Sequence, residues 1–76
     1  MRFDIKAYRS RHGYFALLAW DEYCGQTTHG PPEYWREVAG TGYHATKPEL
    51  VRDIRRIIRE AKAYDRKTRA EWAKLM

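Results

Sequence analysis

The chain has 76 residues, a formal net charge of +5, 33% charged and 14% aromatic residues, and a single cysteine. This length makes one small domain with a marginal core, and the aromatic content excludes a disordered tail. Cys24 alone cannot form an internal disulfide, and the longest apolar run, Tyr14 to Trp20, is too short to cross a bilayer.

The expectation is therefore one domain over residues 1–76, soluble and cytoplasmic. The opening Met1-Arg2-Phe3-Asp4-Ile5-Lys6 alternates polar and apolar residues and does not read as a signal peptide.

Residues 2–9 alternate, with Phe3, Ile5 and Ala7 on one side and Arg2, Asp4, Lys6 and Tyr8 on the other. That is the period of a half-buried strand. Ser10-Arg11-His12-Gly13 reads as a hairpin loop in which Gly13 can take a positive φ. Residues 14–23 form a second strand, apolar on both faces up to Trp20, as a central strand would be; Ala and Leu make a helix the competing reading. Cys24 to Pro32 reads as a loop closed by Pro31-Pro32. Residues 34–39 alternate again, Trp35, Glu37 and Ala39 against Tyr34, Arg36 and Val38, and read as a third strand. Gly40-Thr41-Gly42 turns the chain towards the last third. The sheet is expected over residues 2–44.

From Thr46 onward there is no glycine, and the one proline, Pro48, falls in the first turn of a helix expected over residues 47–76. Thr46 and Glu49 fit a capping box. On a helical wheel Leu50, Val51, Ile54, Ile57, Ile58, Ala61, Tyr64, Thr68, Trp72 and Leu75 share one sector. Arg52, Arg55, Arg56, Arg59, Lys62, Arg66 and Arg69 share the opposite one, with Asp53, Glu60 and Glu71 along a border. The fold class is α+β: a three-stranded antiparallel sheet packed on one long C-terminal helix, β-β-β-α.

Length raises a difficulty. A helix of this size is about 45 Å long, whereas a strand of seven residues reaches only about 23 Å. The sheet should cover the helix to about Tyr64. Trp72 and Leu75 then either fold back after a bend near residues 64–67 or meet a second copy, which makes them candidate self-association residues.

Charge is the strongest functional signal. Residues 1–46 hold five basic and five acidic side chains, residues 47–76 ten and five, so the whole excess sits on the helix. Arginine forks suit phosphate and carboxylate, and phosphate contacts would make binding salt-dependent. The plainer alternative is a solvated face with pairs such as Arg56–Glu60. Tyr8, Tyr14, Trp20, Tyr34, Trp35 and Tyr43 either fill and rim the core or, beside basic residues, stack unpaired bases. His12, His29, His44 and Cys24 lack the paired spacing of a zinc site. No spacing marks a nucleophile and base, so neither catalysis, metal nor cofactor is expected.

The segment Gly40-Thr41-Gly42-Tyr43-His44-Ala45-Thr46-Lys47-Pro48-Glu49 resembles the Gly-Tyr-x-(Ser/Thr)-Lys junction of small bacterial domains of the YegP kind, which implies the same sheet-to-helix order. The β-β-β-α order is also similar to the amino-terminal arm-binding domains of phage and transposon integrases. That likeness implies a sheet in the DNA major groove, with Lys6, Arg9, Arg11 and Arg36 as its candidates, although here the sheet region is neutral. By type, a short single-domain chain without a catalytic pattern is similar to phage-encoded anti-CRISPR inhibitors. The expected function is a non-enzymatic binding protein whose helix arginines engage nucleic acid or a nucleoprotein complex. The alternative is an anti-CRISPR-type inhibitor that binds a Cas effector protein.

Overall fold

The alternating segments do build strands. In the computed structural model, which describes residues 1–26 and 30–75, β1 spans Phe3–Ser10, β2 Gly13–Gln26, β3 Pro32–Gly40 and α1 Lys47–Leu75. β2 is central and antiparallel to both neighbours. The architecture is thus α+β, a three-stranded antiparallel sheet followed by one long helix. His29 lies outside the described residues. No helix among the described residues is long and apolar enough to cross a membrane.

The turn between β1 and β2 keeps negative φ at Arg11 and His12 and places the positive φ of 119° on Gly13. Ser10 fixes it: its Oγ accepts from the His12 amide at 3.1 Å and donates to the Gly13 carbonyl at 3.2 Å. A side chain at Gly13 would also strike the His44 carbonyl. That carbonyl accepts from the Tyr14 amide, and the Tyr14 carbonyl accepts from His44 in return. The junction between sheet and helix is thereby tied to the start of β2.

Register decides the two faces. Phe3, Ile5 and Ala7 lie opposite Trp20, Leu18 and Ala16, and Leu18 lies opposite Ala39. This face meets α1 through a core of Ala16, Leu18, Trp20, Leu50, Ile57 and Ala61, with Phe3, Tyr14, Ala39, Ile54 and Ile58 packed around it. Leu17 and Val38, on the other face, stay 43% and 65% exposed. Val51, Tyr64 and Leu75 do not join the core, contrary to their wheel positions, and are 43%, 57% and 79% exposed. A single helix lying along β2 buries only a narrow stripe, so Val51 and Tyr64 at its sides stay outside it, while Leu75, in line with Leu50 and Ile57, is the last residue of the helix.

The ends of the strands differ from expectation. Cys24, Gly25 and Gln26 continue β2, and Pro32 opens β3. The ladder slips between Tyr23 and Gly25, a bulge made accessible by the φ of 125° at Gly25. Pro32 is tolerated because it starts an edge strand. The helix opens on an amide of Leu50 donating to the Thr46 carbonyl at 3.3 Å, the bond expected when Thr46 is the N-cap. The side-chain bonds of a capping box do not form among the described residues.

These additions resolve the mismatch in length. β2 has 14 residues, about 46 Å of strand, and α1 has 29, about 44 Å of helix. The helix runs unbroken beside a strand of about its own length. The result is a rod of 50 × 17 × 14 Å.

Candidate functional site

The helix wheel opposite Leu50, Ile57 and Ala61 carries Arg52, Arg55, Arg59, Lys62 and Arg66, all exposed. Their spacing alternates three and four residues, which keeps them in line along about 21 Å of helix axis. No acidic residue shares this face from Pro48 to Ala73. Among the described residues no ion pair engages any of the five. Arg52, Arg55, Arg56 and Arg59 border a shallow recess on this surface.

Two other arginines of the expected stripe have different occupations. Arg56 donates to Asp53 through Nε at 3.1 Å and Nη2 at 2.6 Å, and to Glu60 through Nη1 at 3.1 Å. Arg69 donates to Asp65 Oδ2 at 2.9 Å and to the Tyr34 hydroxyl at 3.1 Å, with its guanidinium 4.8 Å from the Tyr23 ring centroid. Asp65 accepts at its other oxygen from the Tyr23 amide at 3.2 Å. Arg69 thus closes the flank where β2 outruns β1. The Asp65–Arg69 spacing of four was visible in the sequence; its tyrosine partners 35 and more residues away were not.

Near the start of α1, His44 Nε2 lies 2.8 Å from Asp53 Oδ2. The hydrogen bond from His44, then that from Arg56, holds the Asp53 carboxyl below the usual carboxylate range. The pair clamps the first turns of α1 to the His44–Tyr14 bridge. Among the described residues no three His, Cys, Asp or Glu side chains come together as a metal site. Burial pushes the Cys24 thiol up, with Glu33 adding to the shift.

On the face of the sheet away from α1, Arg36 reaches Asp4 on β1 and Asp21 on β2, spanning all three strands. The Arg36 bond holds the Asp4 carboxyl below its usual range. This occupies Arg36, one of the four sheet cations. Arg9 is on the helix side, 5.7 Å from the Tyr14 ring centroid.

The two residues expected beyond the sheet separate. Trp72 packs its indole on Gly25 of the same chain, while Leu75 is 79% exposed. Between α1 and β3, Trp35 and Tyr64, 64% and 57% exposed, line a groove with Glu22, Glu37 and Glu71. The expected acidic border of the helix thus continues onto the sheet. Burial, then the nearby Glu37 and Asp65, raises the Glu22 carboxyl above its ordinary value.

Comparison with protein-family models, curated proteins and solved structures finds no match for the chain.

Proposed function

We propose that this protein is a non-enzymatic binding module that engages nucleic acid, free or within a nucleoprotein complex, through the outer face of α1. The observation that carries the reading is the line of Arg52, Arg55, Arg59, Lys62 and Arg66, which have no carboxylate partner among the described residues. A merely solvated face would share its cations with acids three or four residues away, as Arg56 does. Five cations in line present donors to successive phosphates and release counterions on contact.

Affinity is then expected to fall with a log–log salt slope of about −3.5 to −4.5 for five phosphate contacts. The test is a salt titration of binding to labelled DNA and RNA, with Arg52, Arg55 and Arg59 reversed to Glu in a folded variant. Undetectable binding of wild type at low salt overturns the reading.

A second reading, an anti-CRISPR-type inhibitor directed at a Cas effector protein, is favoured by the exposed Trp35 and Tyr64 beside the acidic side chains of the α1–β3 groove. Large exposed rings suit a protein interface. It requires a discrete complex with a purified effector that survives nuclease treatment and is lost with Trp35→Ala.

A further inference from the structure

The face of the sheet away from α1 divides into two halves. At one end Asp4, Arg36 and Asp21 neutralise one another. From Lys6 to the β1–β2 turn the same face presents Lys6, Tyr8, Phe15 and Leu17, joined by Arg11 and His12 of the turn and by Tyr43. Among the described residues this half carries cations and no carboxylate.

Its rings form a chain. Tyr8 stacks on Phe15 with centroids 5.1 Å apart and planes 18° apart. Tyr43 meets Phe15 edge-on at 5.2 Å, and His12 meets Tyr43 at 5.5 Å. Tyr8 remains 43% exposed and Tyr43 58%, so this cluster leaves ring surface open to solvent. Tyr14 and Trp20, by contrast, pack in or against the core on the other face.

We infer that the Tyr8–Phe15–Tyr43 surface is a stacking platform for unpaired bases of single-stranded nucleic acid, with Lys6 and Arg11 placed for the phosphates. Exposed π-faces attract planar bases, and flanking cations without a competing carboxylate complement the strand's charge. Bases paired in a duplex hide the faces that the platform would take, so the substrate class is the single strand. The inference deepens the nucleic-acid reading of α1 but concerns a separate surface.

The test compares an oligothymidylate with an abasic strand of the same length, which keeps the phosphates and lacks the bases. Wild-type protein is expected to bind the oligothymidylate about tenfold or more tightly than the abasic strand. Tyr8→Leu and Tyr43→Leu, which keep apolar bulk and are checked for folding by circular dichroism, should shrink that ratio towards one. Affinity for the abasic strand should not change. Equal, salt-dependent binding of both strands by wild type overturns the platform and leaves the α1 stripe standing. A base preference that survives in folded Leu variants overturns the assignment to these rings. Absence of binding to either strand overturns the platform, and the α1 reading falls with it only where duplex DNA and RNA also fail to bind.

Discussion

The indole of Trp72 lies against Gly25, in the space where a Cβ on that residue would stand: the nearest ring carbons are 2.5 Å from the ideal Cβ position. One residue near the end of α1 and one near the end of β2 therefore set how far helix and strand run together. Gly25 is needed twice, for its φ of 125° and for the room its missing side chain leaves.

Gly25→Ala is accordingly expected to cost about 2 kcal/mol or more, from a strained backbone and a displaced indole. Urea denaturation followed by tryptophan fluorescence measures it. Trp72→Ala should also destabilise, and the double variant should lose less than the sum because both changes act on one contact. Additive losses would show that the two residues are not coupled.

Asp53 supplies a pH-dependent clamp. Its folded carboxyl titrates below the unfolded value of about 3.9. The stabilisation is therefore complete above that value and is lost as pH falls through the lower folded one. Asp53→Asn should cost about 1–2 kcal/mol at neutral pH, and the difference from wild type should vanish in acid. A gap that stays constant from pH 7 to pH 2 would exclude the carboxylate as its source.

The strands and the helix were legible because their apolar periods are clean: Phe3, Ile5 and Ala7 at two, Leu50, Ile54, Ile57 and Ala61 at three and four. The far end of β2 was not, because Gly25 and the proline pair have the chemistry of a loop. Only the contact with Trp72, 47 residues later, shows that Gly25 is a bulge under a ring. The candidate stripe was legible as charge, but not its division. Local spacing could mark Arg56 as paired with Glu60, while the role of Arg69 depends on Tyr23 and Tyr34, which only the folded sheet brings to it. The open-face rings were legible as residues and not as a surface, since exposure depends on where a single helix leaves the sheet bare.

The raised Glu22 carboxyl gives the opposite sign to Asp53. Glu22 and Glu37 are diagonal neighbours on the face towards α1, with Asp65 across from them. The folded state holds the Glu22 proton more tightly than the unfolded chain, whose glutamates titrate near 4.3. Its penalty is absent below that pH and develops as pH rises through the folded value. Glu22→Gln should therefore stabilise at pH 7, by about 0.5–1 kcal/mol, and lose its advantage near pH 4. Destabilisation at pH 7 in thermal or urea melts would contradict this.

Arg59 and Arg69 separate binding from folding on the same helix. Arg59 has no ion-pair partner among the described residues, whereas Arg69 holds Asp65, Tyr34 and the ring of Tyr23. Arg59→Ala should change stability by no more than about 0.5 kcal/mol and reduce the salt slope of nucleic-acid binding by about 1. Arg69→Ala should cost about 1 kcal/mol of stability, from the lost cation–π contact and ion pair, and leave the slope unchanged. Both quantities are read from urea melts and salt-titrated anisotropy on the two variants. Should Arg69→Ala lower the slope as much as Arg59→Ala, the stripe extends beyond the five free cations and Arg69 has to be counted in the interface.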